Sequence, residues 1–403
     1  MAFRRVVIFG LLVVVISIIG GCSGKAASDK QEYKQYGSRG PESIGVILGS
    51  AEKTGGLLNA AAASSVKGLA GEQGLEYTIL SPGDLVNNAE TIRFLAENGH
   101  DLIIAVGPEL QEDLSRLAPE YPDTAFAIIE GEVDQPNVLS IKIGDDEGVF
   151  LAGVAAASLT KTNLVGYIGG ELTDTRQEKA FAQGVQYINL AEGKQVKVVA
   201  VYAGVTKEAA AEPERGKELG NKLYDAGSDV VFTAAGSLGK GLAGAAAERR
   251  KIALANDRQL LETMSSNVYS AVVQKPEKAV YTAAAGILKN GVSGGRAAYG
   301  LKEGSVDFVL SQEVSPELTN KIIAVREQVK NDQIKLYTVQ IPEGLVTKLS
   351  HLPVDLKRTS GTAQPGVRET RQGTGSSGAA GSTAPNAGSP TGNGSAGEGQ
   401  PGD

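Results

Sequence analysis

Between Ser43 and about Tyr337, short apolar runs of strand length alternate with segments of helical period, and this alternation restricts the chain to parallel sheets flanked by helices. Strands are expected at 44–48, 76–80, 101–106, 125–130, 164–168, 196–202, 230–234, 252–255 and 268–272. Helices are expected at 55–71, 89–98, 109–118, 147–159, 175–188, 215–225, 239–249, 277–290 and 316–330. Strand–helix units restart after the long segment at 147–159, so two Rossmann-like lobes fit better than one large sheet. The expected lobes are about 43–158 plus return segments and about 159–275, with the rest up to Tyr337 crossing back to complete a hinge. In such folds a ligand settles in the crevice outside the carboxyl ends of the strands.

Composition narrows the chemistry. A chain of 403 residues, 41% hydrophobic and 21% charged, is globular and longer than one ordinary domain. A formal charge of −7 repels phosphate backbones at long range, so no nucleic-acid partner is expected. Two histidines, His100 and His351, and one cysteine, Cys22, cannot build a Cys/His zinc site or an internal disulfide. No metal or cofactor is expected, and both histidines read as solvated.

The two ends differ from the middle. Arg4 and Arg5 precede an apolar run from Val6 to Ile19, then Gly20, Gly21 and Cys22, the layout of a signal peptide over 1–21. That run is shorter than the ~20 residues a helix needs to cross a bilayer core. Ile19-Gly20-Gly21-Cys22 resembles a bacterial lipobox, which implies a mature N-terminus at Cys22 whose sulfur carries a diacylglycerol anchored in the lipid bilayer. Residues 22–42 are polar and without apolar period, as in a flexible tether. No aromatic ring follows Tyr337, and from Lys357 the chain is mostly Gly, Ser, Thr, Ala and Pro, so 338–403 reads as a mostly disordered tail.

Catalytic signatures occur but do not assemble. Ser64-Ser65-Val66-Lys67 and Ser237-Leu238-Gly239-Lys240 satisfy S-x-x-K, and Lys53-Thr54-Gly55 reads K-T-G. The order is wrong for the penicillin-recognising serine enzymes, because K-T-G precedes the first S-x-x-K and no Ser-Asp-Asn occurs. Gly239-Lys240-Gly241-Leu242-Ala243-Gly244 is a literal G-x-G-x-x-G after a strand, with Asp257 further on. A NAD-dependent enzyme is the reading it would support. The loop Gly236-Ser237-Leu238 separates the strand from those glycines, where the fingerprint puts the first glycine in the tight turn.

Longer pieces, read in order, carry a resemblance. They are Glu120-Tyr121-Pro122-Asp123-Thr124-Ala125-Phe126-Ala127-Ile128-Ile129-Glu130, then Gly148-Val149-Phe150-Leu151-Ala152-Gly153-Val154-Ala155-Ala156. Lys161-Thr162-Asn163-Leu164-Val165-Gly166-Tyr167-Ile168-Gly169-Gly170 and Asp229-Val230-Val231-Phe232-Thr233-Ala234-Ala235-Gly236 follow. Together they resemble the basic membrane protein family of ABC-transporter substrate-binding lipoproteins, of the PnrA-like type. The likeness spans nearly all of 43–337. It implies a type I periplasmic-binding-protein fold whose two lobes close on a small polar ligand, with nucleosides the usual class, and delivery to an ABC permease. It implies no catalysis.

The same resemblance supplies candidate ligand-binding residues. The family's nucleoside loop ends in Ser-Phe-Asn, where this chain has Leu57-Leu58-Asn59, so Asn59 is kept and Leu58 replaces the stacking ring. Asp257 matches a carboxylate of the second lobe, Glu130 ends a strand of the first, Gly236 opens a helix, and Gln274 stands where nucleoside binders carry lysine. Asn59 and Asp257 are expected to face the cleft from opposite sides. A glutamine at 274 with an altered first loop is similar to the Med branch, regulatory lipoproteins not clearly tied to uptake. A transport receptor is preferred because the lobe architecture is intact.

Overall fold

The protein is described by a computed structural model over residues 42–50, 56–206, 208–264 and 266–349. Cys22, the tether before Glu42, His351 and the tail beyond residue 349 lie outside the described residues. In chain order come β1 Ser43–Ile47, α1 Leu57–Gln73, β2 Glu76–Leu80, α2 Asn88–Glu97, β3 Leu102–Val106, α3 Gln111–Leu117, β4 Ala125–Ile129 and β5 Val138–Ile143. Next are α4 Asp146–Leu159, β6 Leu164–Glu171, α5 Arg176–Glu192, β7 Lys197–Gly204, α6 Pro213–Asp225, β8 Val230–Thr233, α7 Gly236–Arg249 and β9 Ile252–Ala255. The remainder is α8 Arg258–Thr263, β10 Val268–Gln274, α9 Pro276–Asn290, β11 Gly295–Tyr299, β12 Val306–Leu310, α10 Pro316–Lys330 and β13 Val346–Lys348.

Two sheets result. The first has six strands in the order β11-β5-β4-β3-β1-β2, and the second has seven in the order β12-β10-β9-β8-β6-β7-β13. Neighbours run parallel except β10 and β12, which pair antiparallel. β3 and β4, at the middle of the first sheet, are buried along their whole length, as the unbroken runs Leu-Ile-Ile-Ala-Val and Ala-Phe-Ala-Ile-Ile require. The chain passes between the sheets three times, after β5, after β10 and after β11. This is the two-lobed α/β architecture of the type I periplasmic binding proteins, with three crossovers between the lobes.

Helix pairs in the second lobe are brought together by glycine. A Cβ on Gly153 of α4 would collide with the Phe181 carbonyl of α5, and one on Gly184 with the Phe150 carbonyl, so these two backbones nearly touch. Gly241 of α7 meets the Pro213 carbonyl of α6 in the same way. The whole G-x-G-x-x-G therefore lies inside α7, with no strand-to-helix turn for a pyrophosphate, and helix packing explains Gly241. α4, the segment at 147–159, packs against α5, β10 and β12 of the second lobe.

All nine expected strands and nine expected helices occur, with ends displaced by a few residues. β5, β11, β12, β13 and the six-residue α8 were not anticipated. β11 is short and alanine-rich, and β13 has three residues; neither has a run that betrays a strand without its partner. β13 pairs with β7 and lies beyond the Tyr337 limit expected for the folded part. His100 is not solvated as expected: burial lowers its pKa, and its Nε2 is enclosed without a hydrogen-bond partner. Among the described residues no helix is long and apolar enough to cross a membrane.

Candidate functional site

A cleft of about 540 Å³ opens where the first and second crossovers leave the sheets. Its walls come from both lobes. Leu57 and Leu58 stand on the first turn of α1, Pro108 follows β3, Glu130 follows β4, and Lys142 and Ile143 end β5. Arg176 opens α5 and Gln274 ends β10 in the other lobe, Asp145 stands on the first crossover, and Pro276 opens α9 just past the second. These are carboxyl ends of strands and amino ends of helices, where unpaired backbone groups gather.

Glu130 is built unusually. It takes a left-handed backbone, φ 61°, a region that non-glycine residues rarely occupy and that recurs at functional sites. Its Oε1 accepts the Ile143 N–H at 2.7 Å. Burial raises its pKa above the usual carboxylate value, against the opposing pull of that N–H and of Lys142.

Asp145 anchors the crossover side. Only 5% of it is exposed. Gln177 donates to its Oδ2 at 2.5 Å, Arg176 Nη1 lies 3.4 Å from its Oδ1, and Gln274 Nε2 reaches to 3.5 Å of Oδ2. Burial raises the pKa of Asp145, with Asp146 adding to the rise and Arg176 opposing it. Arg176 also donates to Asp146. Burial disfavours its charge, but the bond to Asp146 and the attraction of both aspartates outweigh that and raise its pKa. The second lobe is thus pinned to the first crossover by one guanidinium on two carboxylates.

Three of the residues expected from sequence come together: Leu58, Glu130 and Gln274 share this cleft. The others have internal partners. Asn59 donates to the Gly49 carbonyl at 2.7 Å and accepts the Gly49 N–H at 3.3 Å, which fixes the backbone leaving β1. Asp257 is the N-cap of α8, accepting the Gln259 N–H at 2.8 Å. Gly236 is the first residue of α7, with open space where a Cβ would stand. None of these three is among the residues lining the cleft; the polar groups of Asn59 and Asp257 bond to nearby backbone instead.

Sequence reasoning passed over Lys142, Asp145 and Arg176. Asp145-Asp146-Glu147 carries a signal of its own, an acidic run heading an apolar helix. That pattern marks a helix start and says nothing of burial between lobes. Lys142 sits at an outward position of an unanticipated strand.

The family described as ABC transporter substrate-binding protein PnrA-like, Bmp, matches residues 58–340. The ABC transporter nucleoside-binding protein BmpA of Lactococcus lactis subsp. cremoris is 34% identical over 174 residues, which is 42% of this chain and 47% of that protein. The chain thus spans about half the length of that relative. Basic membrane protein A of Borreliella burgdorferi is 27% identical over 339 residues, covering 80% of this chain and 94% of that protein. Among solved structures, a transcriptional activator of the comK gene from Bacillus halodurans superposes with TM-score 0.58 at 19% identity, over 74% of this chain and 99% of that one. An ABC transporter solute-binding protein from Aeropyrum pernix K1 does so with TM-score 0.51 at 22% identity, over 75% and 94%. Those two likenesses are of fold. The order of the matched segments, the two parallel sheets and the cleft at their crossovers all agree: the chain belongs to the PnrA-like Bmp family of ABC transporter substrate-binding proteins.

Proposed function

We propose that this protein is a lipid-anchored, extracytoplasmic receptor that closes its lobes on a small neutral polar solute, a nucleoside in the first instance, and passes it to a membrane permease. One observation carries the reading: Glu130 of the first lobe and Arg176 of the second line the same cleft. A ligand that touches both stabilises the closed form through contacts the open form lacks. Two carboxylates, Glu130 and Asp145, balance two cations, Lys142 and Arg176, which suits an uncharged ligand rich in hydroxyls or amides. Leu57, Leu58, Pro108, Ile143 and Pro276 offer apolar surface for a flat ring, without the aromatic platform of other family members. The name of the Lactococcus relative supports the nucleoside class. The lobe boundary falls before α4, which packs with the second sheet. Anchoring through Cys22 rests on the lipobox-like sequence.

A regulatory role without transported cargo is favoured by one feature, the self-satisfied Asn59 and Asp257, which leave those two family positions bonded to their own backbone. Calorimetric titration of the purified protein with purine and pyrimidine nucleosides, ribose and NAD separates the readings. Saturable heat with a nucleoside supports the receptor. Silence with every nucleoside supports the regulatory role, and a response to NAD alone overturns both. For the anchor, Cys22→Ser should abolish incorporation of labelled fatty acid and release the protein from the membrane fraction.

A further inference from the structure

Apart from the cleft, a recess of about 240 Å³ lies between α10, the start of β12 and the segment joining β11 to β12. Three cations line it, Lys275, Arg326 and Lys330, against a single carboxylate, Asp307. Lys275 Nζ donates to Asp307 Oδ2 at 2.7 Å, and Arg326 Nη1 stands 3.4 Å from Asp307 Oδ1. Arg326 and Lys330 are four residues apart on α10, so they share one helix face. Glu327 approaches from outside the lining, 3.4 Å from Arg326 Nε and 3.5 Å from Lys330 Nζ. Three cations against two carboxylates still leave a positive surplus. Arg326 Nε is buried and, apart from its ion pair with Glu327 at 3.4 Å, makes no hydrogen bond. At Gly304, φ 72°, nothing stands within 4 Å of where a Cβ would be, so the backbone on this wall is open to a ligand.

We propose that this recess is a second binding site, for a small tetrahedral oxyanion of the phosphate type. A planar guanidinium beside two ammonium groups matches such an anion in charge and in donor geometry. The volume is below the ~300 Å³ at which pockets for drug-sized molecules begin, which selects an ion over a nucleoside. The site touches the crossovers that join the two lobes. Lys275 directly follows Gln274 of the cleft, and its N–H donates to the Ser305 carbonyl at 2.7 Å, joining the second crossover to the third. An anion seated between Lys275 and α10 links the second crossover to that helix.

The test uses the full-length protein without nucleoside, so it stands or fails independently of the cleft's ligand. Inorganic phosphate is titrated against sodium chloride of matched ionic strength, followed by calorimetry and by the phosphorus resonance. Saturable binding is expected, weakened at least tenfold in Arg326→Gln/Lys330→Gln, at least threefold in Lys330→Gln alone, and less than twofold in Lys142→Gln. The single variant alters a partly exposed side chain and keeps the test valid if the double variant does not fold. No saturable binding, equal binding in the recess variants, or loss confined to Lys142→Gln would overturn the site. So would adsorption to phosphatidylglycerol vesicles without binding of free phosphate, since the source would then be a headgroup on an open surface.

Discussion

Glu147 Oε2 accepts the backbone N–H of Leu301 at 2.7 Å, a bond that joins residues 154 apart and ties the first crossover to the third. Leu301 is buried, so removing the carboxylate leaves its N–H without a partner. Glu147→Ala should therefore destabilise the fold by about 1–3 kcal/mol, the usual range for an orphaned buried donor. Urea denaturation measures this directly. An unchanged midpoint would mean that water or another group takes over the bond.

Acid titration should expose the carboxyls at the crossovers. Burial raises the pKa of Glu130, Asp145 and Glu147 above their ordinary values. In that state the folded chain holds protons more tightly than the unfolded one. The stability these groups contribute is fully present below the ordinary carboxylate range, about 4–4.5, and is lost as pH rises through their elevated folded values. Glu130→Gln, which keeps an acceptor for the Ile143 N–H but never ionises, should lose less stability than the native chain between pH 4 and pH 7.5. Parallel stability curves for the two proteins would refute the burial argument.

Arg176 bridges Asp145 and Asp146 at the mouth of the second lobe. If a nucleoside closes the cleft, Arg176→Gln should weaken its binding by about tenfold or more, because hydrogen bonds to charged groups are worth about 1.5–3 kcal/mol. Calorimetric dissociation constants for variant and native protein decide it. Equal constants would place the ligand elsewhere.

Asp257 and Asn59 give the complementary expectation. With its oxygen spent on the Gln259 N–H, Asp257 acts as a cap, and Asp257→Ala should cost about 1 kcal/mol of stability. Asn59→Ala should cost a similar amount, about 1 kcal/mol, by freeing Gly49. Ligand affinity should move less than threefold in either. A large loss of affinity with little loss of stability would instead return both residues to the ligand.

Two glycines of the same motif should behave oppositely. A Cβ on Gly241 would strike the Pro213 carbonyl, a backbone atom that cannot step aside, so Gly241→Ala should destabilise by about 3 kcal/mol. Gly244 has nothing within 4 Å, and Gly244→Ala should stabilise α7 by about 0.5–1 kcal/mol through helix propensity alone. Thermal midpoints of the two variants should move in opposite directions.

Much of the first lobe was legible because β3 and β4 are unbroken apolar runs, which only a strand buried on both faces explains. The alternating Val-Leu-Ser-Ile-Lys-Ile of β5 was missed, although its pattern is that of a half-buried strand. β11 and β13 were beyond reach, since their pairing with β5 and β7 is decided by distant segments. Of the residues that line the cleft, Leu58, Glu130 and Gln274 were singled out through their places in the resemblance. Asn59 and Asp257 were placed by the same route, but each can satisfy itself on its own backbone within ten residues.

What the sequence determined by itself was the local period: nine of the strands, nine of the helices, and that they alternate. These follow from side-chain spacing over a few residues and need no partner. Only the tertiary structure decided that Asp145 is buried against Arg176 and Gln177, that three crossovers are bonded to one another, and that Lys275, Arg326 and Lys330 line one recess. Burial and charge pairing belong to groups that lie on different elements, some thirty or more residues apart in the chain, and no short window along the sequence contains both halves of such a contact.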